Sequence, residues 1–190
     1  MRPYHFLILI LILLAACSTN ATSRAGTIDL KECHLSAPGL PLRLPAKCGT
    51  LTLFENRATQ SGRQITLNIA VVPARGRDVE PDPLVFLAGG PGQAATESYV
   101  QISTAFDRIN RDRDIVLVDQ RGTGHSNALR CEPAETTTEP AKVVFDEAQQ
   151  AEEIKACLAQ LNADPTLYTT AIAMDDLDAV RAALGYERVN

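Results

Sequence analysis

The chain has 190 residues, of which 45% are hydrophobic and 22% are charged, and its net charge is −5. This composition is typical of a globular protein with one domain, or of part of a larger one, and it excludes wholesale disorder and collagen-like repetition. The mild acidity argues against a nucleic-acid partner, because nucleic-acid-binding proteins usually carry a basic face. No run of about 18 apolar residues occurs, so we expect no ordinary transmembrane helix.

Residues 1–16 have the features of a secretory signal, namely a short basic start, an apolar stretch over residues 6–14, and small residues after it. The tetrad LAAC, which ends at Cys17, resembles the lipobox of bacterial lipoproteins, where a lipid is attached to the cysteine and the peptide is cut before it. The resemblance implies a lipid on Cys17, a polar tether over residues 17–32, and an exported protein anchored to the periplasmic or outer surface of the bacterial envelope. A plain signal peptide with an incidental cysteine is the alternative.

The other cysteines are Cys33, Cys48, Cys131 and Cys157. Export places them in an oxidising compartment, where disulfides persist, and four cysteines allow three pairings. Their separation along the chain favours Cys33–Cys48 and Cys131–Cys157, each contributing roughly 3 kcal/mol by the loop-entropy estimate. Metal binding is the alternative, but neither CxxC nor HxxxH occurs and the three histidines are scattered. We therefore expect no metal and no cofactor.

Four segments have the residue pattern of strands. Residues 50–55 and 64–72 are rich in β-branched and apolar residues, and the second segment alternates with the period of a strand. The turn signal TQSG at 59–62 lies between them, so we predict a β-hairpin. Residues 84–88 and 115–118 are apolar almost without a break, which is typical of parallel strands covered on both faces.

Apolar residues at helical spacing separate and follow the second pair of strands. We predict helices around residues 99–109, 154–161 and 177–184, the last of them ended by Gly185 and followed by the approach to another strand. This order of elements predicts an α/β fold, in which a β-hairpin is followed by parallel strands with covering helices in an incomplete sheet.

Glycine-rich loops follow both predicted parallel strands, at the edge where ligands of open α/β sheets bind, so we expect these loops to be neighbours in space. The sequence AGGPG at 88–92 resembles the HGGPG loop of α/β-hydrolases of the proline iminopeptidase and tripeptidyl aminopeptidase group. DQRGTGHS at 119–126 matches that group's DQRGxGxS segment, and residues 176–186 resemble the helix before its nucleophile strand. Ala88, where many members have histidine, favours the exported tripeptidyl branch.

The resemblance implies that residues 33–190 are the N-terminal half of an α/β-hydrolase fold. Acyl transfer builds negative charge on the carbonyl oxygen, and fixed backbone N–H groups stabilise this oxyanion. In the loop Gly89–Gly92, glycine lets the backbone approach the substrate and Pro91 has no N–H, so the donor is Gly90 or Gly92, and the resemblance points to Gly90. A tight turn without a catalytic role is one alternative. A phosphate-binding loop is another, but GxGxxG, GKS and GKT are all absent.

The second loop is predicted to be a scaffold, with direct substrate contact as the alternative. We expect Asp119 and Arg121 to make buried polar contacts that hold the two loops together, and Gly122 and Gly124 to permit the bend. Gln120 belongs to the same scaffold.

Ser126 lies in the sequence GHSNA, which superficially matches a nucleophile elbow. An elbow turns directly from strand to helix, whereas residues 119–123 intervene here, and His125 would point away from Ser126 in an extended segment. No GxSxG motif occurs in the sequence. The resemblance therefore implies that the nucleophile, acid and base lie beyond Asn190, and that the chain is part of a longer serine hydrolase and is inactive alone.

The full enzyme would release short peptides or amino acids from peptide N termini through an acyl-enzyme. Its partners would be a peptide or small amide substrate and, through the lipid, the membrane. An esterase or amidase of the same fold is one alternative. A non-catalytic, lipid-anchored binding or vestigial protein is the other.

Overall fold

The computed structural model describes residues 27–131 and 147–190 of the chain. The predicted signal, the lipobox cysteine Cys17 and most of the predicted tether lie outside the described residues. The strands are β1 (Lys31–Leu35), β2 (Leu44–Phe54), β3 (Gln64–Val72), β4 (Leu84–Phe86) and β5 (Ile115–Val118). The α-helices are α1 (Ala95–Ile102), α2 (Ile109–Asp112), α3 (Glu147–Gln160) and α4 (Thr170–Ala183), and 3₁₀ turns span Ser103–Phe106 and Pro165–Leu167.

The strands form a five-stranded mixed sheet in the order β1-β2-β3-β5-β4. The β1–β2, β2–β3 and β3–β5 pairs are antiparallel, with Leu51 opposite Leu67 in the second of them, so the predicted hairpin is confirmed. β4 and β5 pair in parallel, with Val85 opposite Val116. The fold is therefore of the α/β class. β1 is a strand that the sequence pattern did not predict, and its charged and polar residues suit the sheet edge that it occupies.

Helices cover both faces of the sheet. Successive residues of a strand point to opposite faces, so each central strand contributes apolar side chains to both. One face buries a cluster that includes residues of β3, β5 and α1, among them Ala70, Val72, Ile115, Leu117, Tyr99 and Val100. The other face buries residues of β3 and β5 against α4, namely Ile69, Val71, Val116, Val118 and Val180. Burying one large apolar side chain stabilises the fold by roughly 1.5–3 kcal/mol relative to leaving it exposed. These buried side chains therefore hold the helices against the sheet.

The helix predicted around residues 99–109 is not continuous. α1 ends at Ile102, a 3₁₀ turn follows, and α2 is short. The φ angle of Ile102 is −120°, outside the helical range, and the hydroxyl of Ser103 donates to a carbonyl of α1 at 3.2 Å. Serine side chains compete with helical backbone hydrogen bonds in this way. Tyr99 is buried, whereas Ile102 and Ile109 are exposed, so only part of the apolar pattern faces the core.

The two later helices are both present, but they differ in burial. α4 contains the predicted third helix, and Gly185 follows it with a φ of +83°, the positive value that favours glycine at a helix end. α3 includes the predicted second helix as far as Gln160, but Ile154 is 60% and Leu158 is 48% exposed, so these apolar side chains are not part of the core.

Asn190 lies beside β4 at the edge of the sheet. Its N–H donates to the carbonyl of Pro83 at 2.9 Å, and its carbonyl accepts from the N–H of Val85 at 2.8 Å. In parallel strands, one residue bonds to the two residues that flank its partner on the neighbouring strand, here Pro83 and Val85 on either side of Leu84. The predicted approach to another strand therefore ends in strand-like pairing with β4.

Both predicted disulfides are present. Cys33–Cys48 joins β1 to β2, with its Cα atoms 5.8 Å apart, and Cys131–Cys157 joins the residues after the second loop to α3, with its Cα atoms 5.4 Å apart.

Candidate functional site

The two glycine-rich loops lie at the same edge of the sheet. β4 ends at Phe86 and β5 at Val118, and because these strands are parallel their carboxyl ends meet at one edge. β4 is shorter than the predicted strand 84–88, since Leu87 lies beyond its last residue and is 50% exposed. Residues 89–92 then lead into α1, and residues 119–126 follow β5.

An open cavity of about 340 Å³ lies between the loops. Its walls are Ala88, Gly89, Gly90, Pro91, Gly92 and Gln93 from the first loop, and Gln120 and Thr123 from the second. The structure thus brings together residues from the carboxyl ends of two different strands. The other predicted scaffold residues, namely Asp119, Arg121, Gly122 and Gly124, are not among the walls.

Gly90 and Gly92 have φ angles of +123° and +89°, which favour glycine. A Cβ atom at Gly90 would lie 2.9 Å from Cγ of Gln93, whereas a Cβ atom at Gly89 would meet nothing within 4 Å. The N–H of Gln93 donates to the carbonyl of Gly89 at 3.2 Å. Within the parts of the chain that the structure describes, the N–H groups of Gly90 and Gly92 have no acceptor. They are therefore available to an oxygen atom of a ligand.

Asp119 connects the second loop to the start of α1. Its buried carboxylate accepts from the N–H of Thr96 at 3.0 Å and from the hydroxyl of Thr96 at 3.0 and 3.1 Å. It also accepts from Nδ2 of Asn68 at 3.0 Å and from the N–H of His125 at 3.2 Å. All these partners are donors, which is the arrangement that an ionised carboxylate satisfies. Because Thr96 lies in the first turn of the helix after the first loop, Asp119 links the two loops.

Arg121 makes a buried ion pair with α4, not with the first loop. Its Nε and Nη2 donate to the two carboxylate oxygens of Asp176 at 2.6 and 2.9 Å, which is bidentate geometry. Its Nη1 donates to the carbonyls of Glu55 and Leu167, both at 2.8 Å. The guanidinium also lies 5.6 Å from the ring centroid of Tyr168. The expectation that Arg121 holds the two loops together is therefore corrected: it ties the second loop to α4 and to the end of β2.

Gly122 and Gly124 allow the second loop to pack closely against its neighbours. Their φ angles are +82° and +49°. A Cβ atom at Gly122 would lie 2.8 Å from Cδ1 of Tyr168, and one at Gly124 would lie 2.7 Å from Cβ of Ala94. The absence of a side chain at Gly124 is what lets the second loop touch the residue before α1.

Ser126 is buried and is not among the walls of the cavity. Its Oγ accepts from the N–H of Asn68 at 2.8 Å, and its N–H donates to the carbonyl of Thr123 at 2.8 Å. The segment is thus a tight turn, not the extended segment on which the reasoning about His125 rested. Ser126 anchors that turn to β3, while His125 is exposed beside a different cavity.

A second buried network at this edge was missed by sequence reasoning. Glu55 follows β2 and accepts from Nη1 of Arg63 at 2.9 Å, from the N–H of Asp164 at 3.1 Å and from the hydroxyl of Tyr168 at 3.0 Å. The Tyr168 hydroxyl in turn accepts from Nδ2 of Asn127 at 2.7 Å. Burial and the bond to Glu55 raise the pKa of Tyr168 to about 12. No motif spacing signals this network, because Tyr168 is 113 residues from Glu55 along the chain.

The cavity walls carry no ionisable side chain, so the chemistry they offer is hydrogen bonding by N–H, carboxamide and hydroxyl groups. Among the described residues, no cluster of three or more histidine, cysteine, aspartate or glutamate side chains could hold a metal ion. Over residues 27–131 and 147–190, no helix has the length and apolar character needed to span a bilayer.

The fold and the cavity define an α/β protein with a cavity between glycine-rich loops at the carboxyl ends of two parallel strands. No family model matches the chain. The chain is 29% identical, over 93% of its length, to two proteins called tripeptidyl aminopeptidase, of which it covers 35% in Streptomyces lividans and 34% in Streptomyces coelicolor. It is 25% identical, over 85% of its length, to serine protease Hip1 of Mycobacterium tuberculosis, of which it covers 33%. The chain thus spans about a third of the length of these relatives.

Proposed function

We propose that this chain is the N-terminal part of a serine peptidase of the α/β-hydrolase type, which releases short peptides from the N termini of its substrates. The relatives support a peptidase, since two are called tripeptidyl aminopeptidase and one is called a serine protease. The observation that carries the proposal is the cavity between the loops, in which the N–H groups of Gly90 and Gly92 have no acceptor within the described residues.

In this proposal the N–H of Gly90 donates to the oxyanion that forms when the substrate carbonyl is attacked. The donor is useful only if it is already in place when the charge develops. Two features favour this. The N–H of Gln93 donates to the carbonyl of Gly89 and closes the loop around Gly90, and the contacts of Asp119 with Thr96 fix the start of α1 against the second loop. Asp119 therefore acts at a distance from the reacting atoms, by holding the helix that the first loop enters.

The proposal places the nucleophile, base and acid outside residues 1–190. Ser126 is unsuited to attack a substrate, because it is buried, is not a wall of the cavity, and accepts from the N–H of Asn68. We expect residues 17–190, expressed alone, to hydrolyse no peptide amide and to bind no fluorophosphonate covalently. Stoichiometric labelling of Ser126, abolished by Ser126→Ala, would return the nucleophile to this turn.

The test of the oxyanion role compares two glycine variants of the full-length protein. Gly90→Ala forces a side chain onto a positive φ and against Gln93. Gly62→Ala also places a side chain on a positive φ, but it lies in the hairpin turn, its methyl group meets nothing within 4 Å, and it is not a wall of the cavity. With a tripeptidyl amide substrate we expect Gly90→Ala to lower kcat/KM on the order of 100-fold, as does the loss of one oxyanion donor. Gly62→Ala is the matched control for backbone strain and should stay within about twofold of the parent.

The same assay separates the alternatives. Equal turnover by both glycine variants would make the loop a structural turn. Hydrolysis of esters without hydrolysis of any peptide amide would indicate an esterase, since serine peptidases also cleave esters. No hydrolysis of any substrate would favour a non-catalytic binding protein. Preference for tripeptidyl over single aminoacyl amides, lost on N-acetylation, is the outcome expected of an enzyme that acts at free N termini.

We further propose that Cys17 is lipidated and anchors the protein to the bacterial envelope, as the LAAC sequence suggests. Cys17→Ala should then release the protein from the membrane fraction or stall its processing. Mass spectrometry of the purified protein checks this directly. An unmodified mature N terminus at another residue would contradict the anchor and leave a plain secretory signal.

A further inference from the structure

The cavity has two glutamines in its walls that the oxyanion role does not use. Gln93 comes from the start of the segment before α1, and Gln120 comes from the second loop. Neither side-chain carboxamide has a hydrogen-bond partner within the described residues. No buried side-chain nitrogen or oxygen in those ranges lacks a partner, so both carboxamides are open to solvent or to a ligand.

The backbone around each glutamine is held by short-range hydrogen bonds. The carbonyl of Gln120 accepts from both the N–H and the hydroxyl of Thr123 at 2.9 Å. The N–H of Gln93 donates to Gly89, and its Cγ atom stands next to Gly90. Both side chains therefore start from fixed positions beside the proposed oxyanion donor, and such fixed starting points lower the entropy lost when a side chain binds.

The chemistry of the walls selects the kind of ligand group that fits. A carboxamide presents one acceptor and two donors in a plane, which is the complement of a peptide group. A substrate's terminal ammonium would require an acidic partner, and the walls contain none. At about 340 Å³, the cavity is at the small end of the range of ligand sites, about 300–1,000 Å³, so it suits a short segment of a substrate.

We propose that Gln93 and Gln120 bind the main-chain amide of the substrate residue next to the scissile bond, and that they set a preference for peptidyl over aminoacyl substrates. This inference rests on the proposed peptidase function and adds the residues that read substrate length. A substrate with one residue on the acyl side has no such amide and gains nothing from the carboxamides. A tripeptidyl substrate offers an internal amide that they can bind.

The test removes hydrogen bonding from either partner. Gln120→Leu keeps much of the side-chain volume and removes the carboxamide, and Gln93→Leu does the same at an exposed site where folding is not at risk. Gln101→Leu, on the exposed face of α1, is the matched control. In the full-length protein, we expect Gln120→Leu and Gln93→Leu to lower kcat/KM for a tripeptidyl amide about 3–10-fold, the usual effect of one neutral hydrogen bond, and to leave an aminoacyl amide unchanged.

Replacing the internal amide of the substrate by an ester completes the cycle. The ester analogue lacks the amide N–H but keeps the carbonyl, so it should be a poorer substrate of the parent protein. One of the two glutamine variants should lose nothing further with it, because the hydrogen bond from that N–H has already been removed. Equal losses for tripeptidyl and aminoacyl amides, or for amide and ester analogues in both glutamine variants, would overturn the proposal.

A binding measurement separates failure of this subsite from failure of the peptidase function. The tripeptide product and its ester analogue are titrated into each protein by calorimetry, which needs no turnover. Weaker binding of the tripeptide to both glutamine variants but not to Gln101→Leu would support the subsite even in a protein without hydrolytic activity. Unchanged binding in the glutamine variants, or no binding to the parent protein, would overturn it.

Discussion

Asp119→Asn is the substitution that most directly tests how the two loops are held together. The buried carboxylate accepts from Thr96, Asn68 and His125, and every partner is a donor. An asparagine side chain of the same shape must turn its NH₂ group toward one set of these donors. We expect the variant to be less stable and the first loop to be less fixed on the sheet.

The magnitude follows from the least damaging orientation of the new amide. If its oxygen replaces Oδ2, it keeps the bonds from Asn68 and His125, and its NH₂ then faces the N–H of Thr96, which bonds to Oδ1. A buried donor left unsatisfied costs about 1–3 kcal/mol, and the bonds that survive lose the strength given by the charge, typically about 1 kcal/mol each. Together these effects lower the free energy of unfolding by roughly 3–5 kcal/mol.

Urea unfolding followed by circular dichroism measures this loss. With a slope of about 2 kcal/mol/M, a loss of roughly 3–5 kcal/mol lowers the midpoint by about 1.5–2.5 M. Asp107→Asn is the matched control, because Asp107 is exposed and, among the described residues, its carboxylate pairs only with the exposed Arg75. Its midpoint should move by less than about 0.3 M. Equal midpoints for Asp119→Asn and the parent would refute the argument that the carboxylate is required where it lies.

Three further outcomes are expected. Arg121→Lys loses the bidentate pair with Asp176 and should lower the free energy of unfolding by about 3 kcal/mol or more. Arg111→Lys, the control in an exposed ion pair, should change it by less than about 0.5 kcal/mol. Equal effects in urea titrations would contradict the buried role of Arg121. The pKa of Tyr168 is about 12 in the folded state and about 10 in the unfolded state, so its contribution to the free energy of unfolding is complete below pH 10 and is lost as the pH rises to 12. Tyr168→Phe should remove that part of the loss of stability at alkaline pH. Identical pH dependence of stability in the variant and the parent would argue against it. Replacing Cys33 and Cys48 by alanine opens a loop with a sequence separation of 15 and should cost roughly 3 kcal/mol in the same titration; no loss would show that β1 is held without the disulfide.

The sequence predicted the strands correctly where the apolar pattern matches the burial of the strand. Continuous apolar residues at 115–118 became the buried strand β5, and the alternation at 64–72 became β3, which pairs with β2 in the predicted hairpin. The pattern failed for the helix around 99–109, where the hydroxyl of Ser103 competes for a helical carbonyl. The pattern also missed β1, because this five-residue strand is short and mostly polar and so resembles a loop.

At the candidate site, the sequence located the backbone loops but not the partners of their side chains. Glycines and a proline at 89–92 are visible locally, because backbone conformation depends on neighbouring residues. The partner of Arg121 is 55 residues away, on α4, and nothing in the spacing distinguishes that contact from one with the first loop. Buried polar contacts between distant segments depend on how the helices pack, so they become visible only in the folded chain.

The pairing of polar groups explains how the first loop can keep free donors at a crowded edge. Asp119, Arg121 and Glu55 are all buried there, and each is satisfied by groups of the second loop, the hairpin or the helices. Had one of these carboxylates accepted from Gly90, a ligand would have to break that bond before it could bind. Because the acidic groups are fully used elsewhere, the loop N–H groups need no rearrangement to meet an incoming oxygen atom, which is the condition that electrostatic stabilisation of an oxyanion requires.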